Sequence, residues 1–132
     1  MAKHTPPLIL IADDDPDFKE ILSTKFLTEG FKVAEASDGE QAISKAKSLL
    51  PDVVIMDVQM PKLNGTEAVI ELQQTPETKD LKIVFFSSTI HPWPGIQSEN
   101  QTTAKELGAL TFLKKDEDLD VIVKTVKDLI AE

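Results

Sequence analysis

Leu8-Ile9-Leu10-Ile11-Ala12-Asp13-Asp14-Asp15-Pro16 passes from five apolar residues through three carboxylates to a proline. An uninterrupted apolar run this short reads as a strand covered on both faces, the pattern of a buried parallel sheet. Asp15 before Pro16 reads as a helix start, because an N-cap aspartate satisfies the first free amides and proline suits the first helical turn. The acids therefore fall at the carboxyl end of a strand.

Three more runs repeat the arrangement: Val53-Val54-Ile55-Met56 before Asp57, Ile83-Val84-Phe85-Phe86 before Ser87, and Leu110-Thr111-Phe112-Leu113 before Lys114 and Lys115. A fifth, Phe31-Lys32-Val33-Ala34-Glu35-Ala36, alternates more and suits a strand nearer the sheet edge. Helical spacing fills the gaps, with Phe18, Ile21, Leu22 and Phe26, then Ala42, Ile43, Ala46, Leu49 and Leu50, and last Leu119, Ile122, Val123, Val126, Leu129 and Ile130. Gly30 ends the first helix, and Ser37-x-x-Glu40 reads as a capping box for the second. A third helix is expected over about Thr66 to Gln74, and a fourth between Ile96 and Leu107, opened by Ser98 and closed by Gly108.

Strand and helix thus alternate five times, which predicts an α/β fold: a (βα)5 doubly wound, parallel, five-stranded sheet in the order 2-1-3-4-5. Ligands of such sheets sit at the carboxyl edge where the strand order reverses, here between the first and third strands. Asp13, Asp14 and Asp57 end those two strands.

The 132 residues suit one domain, expected to occupy 1–132 with a core over about 8–130, and a hydrophobic share of 41% supplies that core. No apolar run is long enough to cross a bilayer, and Met1 to Pro7 lacks a signal peptide's apolar stretch. A cytoplasmic protein without membrane contact is expected. The net charge of -9 opposes binding to a nucleic-acid backbone. Zero cysteines exclude a disulfide framework and a thiolate nucleophile. His4 and His91 read as surface structure, one in a Pro-rich terminus and the other in a long loop. Trp93, between Pro92 and Pro94, reads as a locally packed loop residue, with a partner anchor as the alternative.

Three carboxylates brought within a few ångströms repel one another, so they take up protons or hold a cation. With no imidazole or thiolate in the strand-end set, the cation should be hard. Mg2+ fits, with Mn2+ able to substitute, because it keeps waters beside one or two carboxylates and leaves room for a phosphate oxygen. Asp57 is then a candidate nucleophile toward phosphorus. The Ser87 hydroxyl and Lys115 ammonium could disperse charge on the phosphoryl oxygens. Ser88 and Lys114 stand one residue away and would face the other side of the sheet.

These motifs, from Leu8 to Ile130, resemble the receiver domain of two-component response regulators, whose fold is flavodoxin-like and related to the chemotaxis regulators. The resemblance rests on the acidic stretch quoted first, on Val53-Val54-Ile55-Met56-Asp57-Val58-Gln59-Met60-Pro61-Lys62-Leu63-Asn64-Gly65, and on Gly108-Ala109-x-x-Phe112-x-x-Lys115. It implies that Asp13 and Asp14 hold Mg2+, that Asp57 accepts a phosphoryl group and that the backbone carbonyl of Gln59 adds a metal ligand. It also implies that Ser87 and Phe112 form the switch, that Lys115 binds a phosphoryl oxygen, and that Gln59 and Thr89 tune dephosphorylation. Asp15 is left to cap the helix.

The partners so implied are a histidine kinase or histidine phosphotransfer protein, and a downstream target or attached output domain. Phosphorylation would alter a face built from the fourth helix, fifth strand and last helix. A monomer at rest is expected, with dimerisation after phosphorylation as the alternative state; Lys124, Lys127 and Asp128 read as ordinary solvent residues. The protein is expected to be a phosphoacceptor rather than an enzyme, able to phosphorylate itself from small donors and to dephosphorylate itself. Asp116 stands where the family commonly has proline, so a cis bond after Lys115 is not expected.

Two rivals remain. A phosphohydrolase of the haloacid dehalogenase type would attack with Asp13 and use Asp15 as general acid, although Asp17 occupies that motif's usual Thr or Val place. A pseudo-receiver would keep the fold as a binding module without taking phosphate, but such domains typically lack members of the acid pocket.

Overall fold

Continuous apolar runs become central strands only if both faces are covered, and the computed structural model, which describes residues 4–57, 65–87, 111–114 and 117–131, shows how that is done. Its elements are β1 (Leu8–Ala12), α1 (Pro16–Thr28), β2 (Lys32–Ala36), α2 (Gly39–Leu49), β3 (Val53–Asp57), α3 (Gly65–Gln74), β4 (Lys82–Ser87), β5 (Thr111–Lys114) and α4 (Leu119–Ala131). All strand pairs are parallel, in the order β2-β1-β3-β4-β5. The more alternating strand, β2, lies at the edge as its sequence predicts.

Side-chain alternation divides the core into two layers. Leu10, Ala12, Val54, Met56, Ile83 and Phe85 pack against Ala42, Ile43 and Ala46 of α2 and Ala68, Val69 and Leu72 of α3. Their neighbours Ile9, Ile11, Val53, Ile55, Val84 and Phe86 pack against Leu22 and Phe26 of α1 and Ile122, Val126 and Leu129 of α4. With α1 and α4 on one face and α2 and α3 on the other, the chain reverses its winding between β1 and β3.

The helix ends show how far sequence punctuation holds. Asp15 is the α1 N-cap, accepting from the Asp17 amide at 3.0 Å and the Phe18 amide at 3.4 Å. At the other end Gly30 takes φ +94, a conformation that glycine adopts without penalty. Asp15→Ala should lower unfolding free energy by about 1 kcal/mol, read as a lower urea midpoint at unchanged slope.

For α2 the expected Ser37-x-x-Glu40 box is displaced by one residue. Asp38 is the cap, accepting from the Gln41 amide at 2.8 Å, and Gln41 Oε1 reaches back to the Ser37 amide at 3.0 Å. The carboxylate wins because the Ser37 hydroxyl accepts instead from Lys19 Nζ at 2.6 Å. Strand limits also shift slightly: β2 begins at Lys32 rather than Phe31, β4 runs on to include Ser87, and Lys114 closes β5.

His4 is tied down rather than loose. Its Nε2 lies 3.1 Å from the carbonyl oxygens of both Leu49 and Leu50, where the end of α2 leaves acceptors without helical donors. Lys127 likewise is more than a solvent residue, since its ammonium lies 3.2 Å from Glu29 of α1. Lys25 joins the same clasp, 2.7 Å from Asp120 and 3.3 Å from Glu29. The hydrogen bond from Lys25 holds the Asp120 carboxyl below its ordinary range, and that from Lys127, with Lys25 second, does the same for Glu29. Exposed pairs of this kind contribute little to stability, so α1 and α4 are held chiefly by their apolar layer.

No helix among the described residues is long and apolar enough to cross a membrane. The helix expected between Ile96 and Leu107, the loop with His91 and Trp93, and the Lys115-Asp116 peptide all lie outside the described residues.

Candidate functional site

Parallel register carries each strand's last side chains to one edge. Ala12 pairs with Met56, so Asp13 and Asp57 are the next neighbours along β1 and β3. Asp57 in turn pairs with Phe86, and Ser87 with Lys114. The backbone of β4 therefore delivers Ser87 one position past Asp57, on the same edge.

Asp13 is fixed from two sides. Its amide donates to the Ala36 carbonyl at 3.0 Å, extending the β1–β2 ladder by one step. Its Oδ1 accepts from the Asp15 amide at 2.8 Å, which closes the turn into α1 and aims the carboxylate inward. Asp13 is 1% exposed and Asp57 6%, whereas Asp14 faces solvent.

Asp13, Asp14 and Asp57 each present one carboxylate oxygen such that all three atoms lie within 4.8 Å of one another. Two ionised oxygens at about that distance repel by roughly 3 kcal/mol at an effective dielectric of 20. A divalent cation removes that repulsion. Asp13, Asp14 and Asp57 would hold a small divalent cation such as Mg2+ after side-chain adjustment, with waters completing its shell. An all-oxygen, all-anionic donor set also selects a hard ion over zinc or copper.

The structure thus brings together three of the residues singled out in the sequence. Ser87 and Phe112 are placed by backbone alone, in β4 and β5. Gln59, Thr89 and Lys115 lie outside the described residues.

One residue beside the site was not singled out. Lys19, on the flank of α1 toward β2, is buried at 6% exposure. Its sequence signal is a lysine four residues before Ser23, on the stripe beside Leu22 and Phe26 where a solvent-facing α1 residue would not fall.

Comparison with known proteins agrees with this geometry. The family described as response regulator receiver domain matches residues 9–127. Protein PilH of Pseudomonas aeruginosa is 30% identical over 123 residues, covering 93% of this chain and 97% of PilH. The nitrate/nitrite response regulator protein NarL of Escherichia coli is 33% identical over 135 residues, covering 99% of this chain but 58% of NarL. Among solved structures, the chemotaxis protein CheY4 of Vibrio cholerae superposes with a TM-score of 0.81 at 26% identity, covering 93% of this chain and 98% of that one.

Proposed function

The chain belongs to the response regulator receiver domain family, and from that premise we propose that Asp57 accepts a phosphoryl group from a phosphohistidine of a partner kinase or phosphotransfer protein. The observation that carries the reading is the convergence of Asp13, Asp14 and Asp57 to within 4.8 Å at the point where the sheet reverses. In the transfer a carboxylate oxygen of Asp57 bonds to phosphorus as the phosphorus–nitrogen bond breaks, and the departing imidazole keeps that bond's electron pair. The product is an acyl phosphate, which water hydrolyses to reset the protein.

Asp13, Asp14 and Asp57 would hold Mg2+ (or Mn2+), with the Gln59 carbonyl as a further ligand; when bound, the metal offsets charge on the attacking oxygen and the phosphoryl oxygens. Asp13, held by the Asp15 amide, orients the pocket and keeps its negative charge away from bulk water. Ser87 would donate to one phosphoryl oxygen and Lys115 to another, spreading the charge that builds in transfer. Phe112 would follow Ser87, and Gln59 and Thr89 would govern access of the hydrolytic water. The proposed consequence is a population shift in an output surface read by a target protein or attached domain. The protein would act in the cytoplasm as one receiver unit over about residues 8–130, a monomer at rest.

Family membership displaces the phosphohydrolase reading. The geometry agrees, because the Asp15 carboxylate, which that chemistry needs as general acid, caps α1.

Intact mass after incubation with acetyl phosphate tests the proposal. One added phosphoryl group is expected in the presence of Mg2+, and none when the metal is chelated. A folded protein that gains no adduct with Mg2+ present would instead be a pseudo-receiver.

A further inference from the structure

Lys19 is the only buried lysine among the described residues. The chain bends it toward β2, where its Nζ donates to Ser37 Oγ at 2.6 Å. Ser37 directly follows Ala36, whose carbonyl accepts the Asp13 amide at 3.0 Å. The ammonium is thus anchored at the carboxyl end of β2, on the residue next to the one that accepts the Asp13 amide, one strand over from the first of the three acids.

An ammonium withdrawn from water needs negative charge to hold it there. Among the described residues its one direct partner is the neutral Ser37 hydroxyl. Two other carboxylates lie nearby: Asp38 is turned to the Gln41 amide, and Glu35 takes the Ser23 hydroxyl at 2.6 Å. The largest concentration of negative charge on that edge is Asp13, Asp14 and Asp57. Attraction of Lys19 to the trio and its repulsion of a cation held there are the same coupling seen from two sides.

The geometry points to Lys19 as a built-in counter-charge that holds down the resting affinity of the trio for Mg2+. A fixed positive charge opposes the metal when it comes alone. It opposes less when a phosphoryl group brings compensating negative charge, so the device ties metal occupancy to phosphorylation. The inference rests on the proposed reading of the trio as a Mg2+ site.

Calorimetric titration of Mg2+ into wild type, Lys19→Met and Lys19→Arg, beside thermal melts, tests it. Lys19→Met should bind Mg2+ on the order of three- to tenfold more tightly, with the gap narrowing as monovalent salt is added. Lys19→Arg, which keeps the charge, should bind as wild type does. A residue that only braces the turn after β2 gives the opposite sign, because a loosened Asp13 binds metal less well. Equal or weaker binding by Lys19→Met therefore overturns the inference while leaving the metal site standing. If folded wild type and Lys19→Met both bind no Mg2+, the metal-site reading itself fails, and this inference with it. Should Lys19→Met not fold, Lys19→Gln carries the same expectation with a polar end for Ser37.

Discussion

Asp57→Asn should accept no phosphoryl group from acetyl phosphate at any Mg2+ concentration. The substitution keeps the size of a 6% exposed side chain at the end of β3, so the sheet edge has no reason to collapse. What it removes is the anionic oxygen that would bond to phosphorus, and an amide oxygen is a poor replacement. It also removes one of three charges within 4.8 Å, and so weakens metal binding. Asp13→Asn separates the two effects. That variant should lose rate at low Mg2+ and recover part of it as Mg2+ is raised, because its nucleophile is intact. Asp57→Asn should not recover at all. In metal-free buffer Asp57→Asn should also melt above wild type, since a repulsive charge has gone. Phosphoryl uptake by Asp57→Asn would move the acceptor to another residue and overturn the assignment.

How much of this was legible in the sequence follows from what each signal encodes. Leu8–Ala12 and Val53–Asp57 are buried along their whole length, and continuous apolar runs register that burial directly. β2, with Lys32 and Glu35 exposed, gave the weaker alternating signal proper to an edge. Asp13, Asp14 and Asp57 could be found because strand ends in a doubly wound sheet converge by topology, whatever the loops do. Cap competition was harder to read. Ser37 and Asp38 are both good N-caps, and the choice fell to Asp38 because a side chain eighteen positions earlier, Lys19, engages the serine hydroxyl. That is a tertiary contact, and local spacing does not carry it. Lys19 itself was missed for the same reason: a lysine among apolar positions looks like a break in amphipathicity until β2 supplies its partner. The roles of Ser87, Lys115, Phe112, Gln59 and Thr89 came from strand-end placement and family resemblance, and they stand as proposals.

Phe86→Ala should be the most destabilising of these changes and should reach the site from behind. Phe86, near the end of β4, is fully buried against the α1/α4 layer, with its ring centroid 5.8 Å from that of Phe18. Removing the ring deletes its transfer free energy and leaves a cavity, together about 3–5 kcal/mol in well-packed cores. Against a total of roughly 5–15 kcal/mol for an ordinary domain, that takes a large part of the margin. The urea midpoint should fall accordingly, while Phe86→Leu, which keeps more of the volume, should fall less. The same residue is the register partner of Asp57, and it immediately precedes Ser87. A cavity there lets the end of β4 shift relative to β3, so the folded fraction of Phe86→Ala should take up phosphate more slowly than wild type at saturating Mg2+. Rate and stability should fall together across Leu and Ala at this position. At Phe26, buried in the same layer and stacked edge-on against Phe31, Ala should cost comparable stability with little change in rate, because that ring lies in the second half of α1, away from the acidic edge. An equal loss of rate at both positions would mean that global softening, rather than the β3–β4 register, sets the geometry at Asp57.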